Sequence, residues 1–310
     1  EAQYIPGHEI CAEKVKDADA LIVRTRTRCD KHLLEGSKVS FVATATIGFD
    51  HIDTRYMSEA GIEWMNCPGC NAASVAQYIR STLILLSRNR GLDFKKSCLG
   101  IVGCGHVGEK VKEVANELGM KVLVNDPPRQ ERDDKEPFVT LDDIAEKCDV
   151  ITFHVPMIKE GNYATWHLCD SKLLHKMKKK PLIINSSRGA VVDNLALMEA
   201  LNEGTIKDAV IDTWENEPNI LIPLLNNVYI GTPHIAGYSA DGKANADNMV
   251  IEGLCRHFGL TNKYHINPPA LPETFRLPND QYDAALTLYN PLDDSEKLKS
   301  HPERFEWFRG

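Results

Sequence analysis

Several absences narrow the class of this 310-residue chain before any motif is read. No apolar run reaches the ~18 residues of a membrane helix, and no leader segment precedes the first α/β pattern. Both point to a cytoplasmic protein with no membrane partner. Long basic blocks are missing too: 36 Lys and Arg stand against 44 Asp and Glu, a net charge of −8. Lys176–Lys180 is one short run that solvates a turn, so the footprint of a nucleic-acid binder is absent. Nine cysteines, at positions 11, 29, 67, 70, 98, 104, 148, 169 and 255, are an odd, scattered set and no disulfide framework. Cys67-Pro-Gly-Cys70 has no second CxxC or paired histidine to complete four ligands, so no metal is expected. The motif reads as a Pro-Gly turn ahead of a helix near Asn71; the alternative is a redox pair acidified by that helix. The opening Glu1-Ala-Gln-Tyr-Ile-Pro-Gly lacks an initiator methionine and an opening strand-helix unit, so a late start is expected.

What is present is an ordinary globular composition, 26% charged and 43% hydrophobic, in a chain long enough for two domains. Its most informative stretch is Ser97–Asp126. An apolar run, Leu99 to Val102, feeds into Gly103-Cys104-Gly105-His106-Val107-Gly108. Val107, Val111, Val114, Ala115 and Leu118 then share one helical face, and a second apolar run, Met120 to Val124, ends at Asn125-Asp126. Strand, glycine turn, helix, strand and terminal acid make a dinucleotide-binding βαβ unit. Gly103 allows the tight turn, Gly105 admits a pyrophosphate, Gly108 lets helix and strand pack, and the helix N-terminus offers N–H groups to phosphates. Asp126 is placed to accept the ribose hydroxyls and repel a 2′-phosphate, which predicts NAD rather than NADP, with Arg129 close enough to complicate the choice.

Before that unit, strands are expected at Ala20–Arg24, Val39–Ala43 and Ile62–Asn66, with helices at Lys31–Leu34 and Arg55–Ala60. A long helix follows at Ala72–Arg88. Beyond it Pro127-Pro128 stops the strand, Arg129–Pro137 is a polar loop, and Thr140-Leu-Asp-Asp143 starts a helix. Further strands are expected at Val150–Val155, Leu182–Asn185, Ala209–Asp212 and Val228–Gly231. Helices are expected at Asp170–Met177, Asn194–Leu201 and Lys243–Phe258. The alternation predicts an α/β fold: a doubly wound parallel-sheet (Rossmann) NAD domain over 74–240, and a smaller flavodoxin-like α/β substrate domain over 1–73 with a return helix at 241–258. The proline-rich, aperiodic segment 259–310 reads as a C-terminal appendage.

Ligands of open α/β sheets bind beyond the carboxyl ends of strands. There the sequence places Thr46 and Asp50, Asp126, His154, Ser186-Ser187-Arg188-Gly189, Asp212 through Pro218, and Thr232-Pro233-His234. Arg188 offers a fork of donors for a carboxylate. His234 is suited to exchange a proton near neutrality. A carboxylate beside it would fix its tautomer; Glu217, directly before Pro218, is preferred and Glu215 competes. His154, followed by Val-Pro, shapes a loop over the cofactor. Arg24, Arg26 and Arg28 share one face of an extended segment, either as an anion patch or as a solvated edge.

The segments VRTRT (23–27), ATATIGFDHID (43–53), NCPGCNAASVAQY (66–78), GIVGCGHVG (100–108), VNDPPR (124–129), TFHVPM (152–157), INSSRGAVVDN (184–194), LNEGTI (201–206), VIDTWENEP (210–218) and GTPHIAGYSADGKA (231–244) resemble the D-isomer-specific 2-hydroxyacid dehydrogenase family over residues 4–258. The resemblance implies NAD-dependent oxidation with Arg188, Glu217 and His234 as the catalytic set. It gives Gly103, Gly105, His106, Val107, Gly108, Asp126, His154, Ser186, Ser187, Asp212 and Gly237 to the cofactor, and Thr25, Thr46 and Tyr238 to substrate. The forms ATATIGFDHID, NDPPR and PHIAGYSADGKA are those of a branch that oxidises a small phosphorylated 2-hydroxy acid on the route to vitamin B6. That branch forms a homodimer through a C-terminal domain longer than 259–310. Alternatives within the family are a phosphoglycerate dehydrogenase or a glyoxylate/hydroxypyruvate reductase. Outside enzymology, the same fold would suit an NAD-sensing dimer that binds a partner protein.

Overall fold

The computed structural model describes residues 2–132 and 135–309. Contacts divide the chain into two compact units: residues up to Asn71 with Tyr238–Pro272, and Ala72–Gly237 with the residues from Glu273 onward.

The first unit is built on three parallel strands, β1 (Ala20–Val23), β2 (Phe41–Thr44) and β3 (Glu63–Met65), in the order β1-β2-β3. Side chains of a strand alternate between faces, and here both faces are covered. Leu21, Val23 and Val42 enter one core, while Phe41 and Ala43 enter another with Ala246 and Val250 of the helix Ala240–His257. Close approach of that helix to β3 needs Gly253, where a Cβ would lie 2.0 Å from the Met65 sulfur. Cys67 and Cys70 flank a turn, with Gly69 at φ 82°. Both thiols are buried, and Cys67 donates to the carbonyls of Thr44 and Ala246. Burial pushes the Cys67 thiol up to about 12, the opposite of an acidified redox thiol.

The second unit holds six parallel strands: β4 (Cys98–Val102), β5 (Lys121–Asn125), β6 (Val150–Phe153), β7 (Leu182–Asn185), β8 (Asp208–Ile211) and β9 (Ile230–Gly231). Their order is β5-β4-β6-β7-β8-β9. Ile151, Phe153, Ile183, Ala209 and Ile211 point into one core, while Val150, Leu182, Ile184, Val210 and Ile230 point into the other. A parallel sheet buried on both faces explains why these strands read as continuous apolar runs. The helix Ala72–Arg90 supplies Val75, Ile79, Leu83 and Leu86 to the second core. The chain runs from β4 outward to β5 and then crosses back to β6 on the other side of β4. The loops after β4 and β6 therefore diverge, and a crevice opens at their carboxyl ends.

Three expectations change. Pro127 and Pro128 do not merely stop a strand: they open the helix Pro127–Arg132, where a missing N–H costs nothing, and Asp126 accepts the Arg129 N–H at 3.0 Å as its cap. The loop expected at 129–137 is thus partly helical, and Asp133 and Asp134 lie outside the described residues. The helix Ile222–Asn227 lies in a stretch for which no element was expected; Pro223 sits in its first turn, where a missing N–H is tolerated. The segment 259–310 is not one appendage. Its helices Gln281–Leu288, Pro291–Ser300 and Phe305–Arg309 belong to the second unit, and Leu298 and Phe305 are buried in its core. The helix Pro291–Ser300 lies along the edge strand β9, where the buried Ser295 hydroxyl accepts the Gly231 N–H at 3.0 Å. Tyr282, Leu286, Tyr289 and Leu292 pack against the core on the other face.

Candidate active site

The crevice beside β4 has the form that the glycine spacing predicts. A Cβ on Gly103 would lie 2.7 Å from the His154 carbonyl oxygen, so only glycine lets the two diverging loops meet. A Cβ on Gly108 would lie 2.2 Å from the Gly103 carbonyl, which fixes how closely the helix His106–Glu117 sits on its strand. At Gly105 a Cβ would meet nothing within 4 Å: the space beside this turn is open, as a pyrophosphate requires. His106 and Val107 open the helix. Asp126 accepts the Cys104 N–H at 2.8 Å on one oxygen and the Arg129 N–H on the other. The Arg129 guanidinium bonds the Cys104 carbonyl and the Glu109 carboxylate. The cation beside Asp126 is therefore held by a carboxylate of its own.

Two buried polar atoms in this region, His154 Nδ1 and Ser186 Oγ, have no hydrogen-bond partner among the described residues. The other His154 nitrogen is bonded to the Thr152 hydroxyl at 2.9 Å, and burial lowers its pKa to about 3, so the ring is neutral. Ser187 is turned away, its hydroxyl donating to Asn185 Oδ1 at 2.9 Å. An open glycine turn, a paired acid and orphaned polar atoms fit a dinucleotide.

At the carboxyl ends of β7, β8 and β9, Arg188, Glu217 and His234 come from three successive loops. The Arg188 guanidinium donates to the Ser187 carbonyl at 2.8 Å. Gly189 beside it touches the next loop: a Cβ there would lie 1.8 Å from the Trp214 carbonyl oxygen. His234 Nδ1 faces both oxygens of Glu217, at 2.8 and 3.1 Å. A carboxylate only accepts, so the proton sits on Nδ1 and the neutral ring carries its lone pair on Nε2. Burial would raise the Glu217 carboxyl. The His234 hydrogen bond and charge, the Trp214 N–H at 2.9 Å and the Arg309 guanidinium together hold it below its usual value. His234 itself has φ 57°, the left-handed region that side chains rarely enter; such strain gathers at functional sites.

Asp212, expected at the cofactor, is 1% exposed. It accepts the Thr232 hydroxyl at 2.6 Å and the N–H groups of Ile235 and Ala236 at 2.8 and 3.0 Å. It thus organises the 232–236 turn that presents His234, and burial raises its carboxyl. Gly237 ends this unit. Glu215, the competing acid, bonds His167 Nε2 at 2.7 Å and not His234. His167, Asp193 and Glu215 lie close enough to share an ion, yet each imidazole nitrogen already faces one carboxylate: Nε2 is hydrogen-bonded to Glu215 Oε1 at 2.7 Å, and Nδ1 lies 3.5 Å from Asp193 Oδ2. Residue spacing does not reveal His167 or Arg309, since neither follows a strand.

The substrate candidates Thr25, Thr46 and Tyr238 lie in the first unit. Thr25 is exposed; Thr46 bonds the Thr44 hydroxyl at 2.7 Å and donates to the Gly48 carbonyl; Tyr238 is 46% exposed with Lys243 over its ring. Arg26 and Arg28 line a surface cavity with His8 and His32, and Arg28 is paired with Asp30 at 3.0 Å.

The family model of the D-isomer specific 2-hydroxyacid dehydrogenase NAD-binding domain matches residues 72–236. The chain belongs to the D-isomer specific 2-hydroxyacid dehydrogenase family. This dehydrogenase is 56% identical over 310 residues to the erythronate-4-phosphate dehydrogenase of Bacteroides thetaiotaomicron, covering 100% of this chain and 89% of the relative. It is 42% identical over 293 residues to the erythronate-4-phosphate dehydrogenase of Shigella dysenteriae, covering 94% and 75%. Among solved structures, the NAD-bound 3-phosphoglycerate dehydrogenase of Entamoeba histolytica matches with a TM-score of 0.69 and 28% identity, over 85% of this chain and 87% of that one. The protein is an oxidoreductase with a parallel-sheet α/β fold, and NAD is its cofactor.

Proposed function

We propose that this dehydrogenase oxidises 4-phospho-D-erythronate at C2 to 2-oxo-3-hydroxy-4-phosphobutanoate, a step of vitamin B6 biosynthesis. The observation that carries the reading is the His234–Glu217 pair at the end of β9, beside Arg188 at the end of β7. The substrate is suggested by the names of relatives 56% and 42% identical to this chain, which disfavours the phosphoglycerate and glyoxylate/hydroxypyruvate alternatives. A sensor would need no paired proton acceptor.

NAD supplies the hydride acceptor, held by the Gly103–Gly108 turn, His106, Val107 and Asp126, with Ser186 and His154 beside it. Arg188 clamps the substrate carboxylate, which fixes the orientation of C2. His234 Nε2 takes the proton of the C2 hydroxyl, and Glu217, bonded to Nδ1, stabilises the imidazolium that forms. In the reverse direction the same pair keeps that proton available to the keto oxygen. Thr25, Thr46 and Tyr238 are assigned to the hydroxyl-bearing chain. A homodimer is part of the reading, supported by the exposed Leu260, Tyr264, Leu271 and Leu277 in the segment beyond the helix Ala240–His257. A cytoplasmic setting is supported by seven buried free thiols.

The test is kcat/KM for 4-phospho-D-erythronate beside 3-phosphoglycerate, D-lactate and D-glycerate, with His234→Asn and Arg188→Ala as controls. The phosphorylated four-carbon acid is expected to win, and both controls to lose at least ~10²-fold. A tenfold preference for another acid, ~1.4 kcal/mol, overturns the substrate. A control with wild-type kcat/KM overturns the mechanism.

A further inference from the structure

We infer that His167 is a positioning residue for this reaction: through Asp193 and Glu215 it locks the loop that carries Arg188 to the loop that carries Glu217. The inference rests on the roles just proposed for Arg188 and Glu217.

The two loops follow different strands, and no covalent geometry keeps them in register. Three contacts do so instead. Gly189 packs directly on the Trp214 backbone. The buried Asn194 exchanges two bonds with Glu215: its N–H donates to Glu215 Oε2 at 3.0 Å, and its Oδ1 accepts the Glu215 N–H at 3.2 Å. The third contact is the His167 ring, with Nε2 2.7 Å from Glu215 Oε1 and Nδ1 3.5 Å from Asp193 Oδ2. Asp193 cannot swing toward another partner, because its other oxygen caps the helix Asn194–Glu203 through the Leu195 and Ala196 N–H groups.

His167 is itself held to the Arg188 loop. Its N–H donates to the Ala190 carbonyl at 2.7 Å, and Cys169 pairs with the same strand of chain. Its backbone sits at φ 48°, and Trp166 stacks on the ring with centroids 3.9 Å apart. From Glu215 the path to the chemistry is short. The Trp214 N–H donates to Glu217 Oε1, the same carboxylate that faces His234 Nδ1. A Trp214–Glu215 backbone that drifts takes that N–H with it, and Glu217 loses the orientation that holds the imidazole.

The experiment uses His167→Gly, which removes the ring, tolerates the positive φ, and leaves a gap that added imidazole can fill. NAD affinity, read by the quenching of tryptophan fluorescence, is expected to stay at the wild-type value, since the glycine turn and Asp126 are untouched. The kcat for the best 2-hydroxy acid is expected to fall roughly 10- to 100-fold, the scale of a displacement of about 1 Å in catalytic geometry. The His234 Nδ1–H signal in the NMR spectrum should move or broaden. Imidazole should restore both, while leaving wild type unchanged. Wild-type kcat and an unmoved His234 signal overturn the inference. So does a joint loss of NAD binding and activity that imidazole does not reverse, since that marks mere support of the fold. If His167→Gly does not fold, Glu215→Ala takes its place: the same losses support the lock and the same unchanged values overturn it, without the imidazole arm. A wild type that oxidises no 2-hydroxy acid would refute the proposed function, and the His234 signal would still decide the lock.

Discussion

His234 and Asp126 are both set by what holds their second polar atom. In His234, the carboxylate on Nδ1 leaves the lone pair on Nε2, the proposed base. In Asp126, both oxygens rest on backbone N–H groups, so the carboxylate is fixed in place. The neighbouring Arg129, a cation that would welcome a 2′-phosphate, is occupied by Glu109. The proposed preference for NAD over NADP thus has two parts, a fixed negative charge and a sequestered positive one. Replacing Asp126 by Ala removes only the first. The ratio of kcat/KM for NAD over NADP should fall by roughly tenfold or more, ~1.4 kcal/mol of discrimination. An unchanged ratio would show that Asp126 does not discriminate.

At the scale of elements, the chemistry depends on short strands whose ends are level, so that the loops after β7, β8 and β9 converge. β9 is two residues long and lies at the sheet edge. An edge strand offers unpaired backbone groups, and here the helix Pro291–Ser300 covers them. Ser295 takes the Gly231 N–H, and Lys299 donates to the carbonyls of Val228 and Tyr229. Since His234 lies three residues beyond Gly231, this helix also steadies the turn that carries it. Ser295→Ala leaves a buried N–H unsatisfied and should cost about 1–3 kcal/mol in a urea titration. A stability within error of wild type would show that the edge does not need this hydroxyl. The glycine spacing, the strand ends and the helix Ala72–Arg90 were legible because each is a local pattern. The role of Ser295 was not, because its partner lies 64 residues away in sequence.

Across the whole molecule, histidines buried in neutral form are expected to make stability fall at acid pH. His154 falls from 6.5 to about 3 through burial, and burial lowers His51 as well. Above pH 6.5 neither folded nor unfolded His154 carries the proton, so it contributes no slope. Between 6.5 and about 3 the unfolded chain binds the proton and the folded one does not, so stability falls as pH falls. For one such group the slope approaches about 1.4 kcal/mol per pH unit. Asp212, raised by burial, works in the opposite direction above its ordinary 3.8. A comparison of variants cancels that contribution. His154→Gln should flatten the dependence of the urea midpoint on pH between 6.5 and 4.5; an identical slope would place the acid sensitivity elsewhere.

The sequence by itself determined the α/β alternation, the dinucleotide turn and the presence of an arginine, a histidine and an acid at successive strand ends. These rest on periodicity and on spacing within one strand-turn-helix unit, where bond geometry limits the choices. Tertiary structure decided the rest. Glu215 and Glu217 are two residues apart and chemically alike, and only the folded loops turn one toward His167 and the other toward His234. Asp212, which the family resemblance gives to the cofactor, takes hydrogen bonds from Thr232, Ile235 and Ala236, partners that only the folded turn brings to it. The structure of the aperiodic tail rests on a sheet edge and two cores, because the partners of its Leu298 and Phe305 lie on strands and helices distant in sequence.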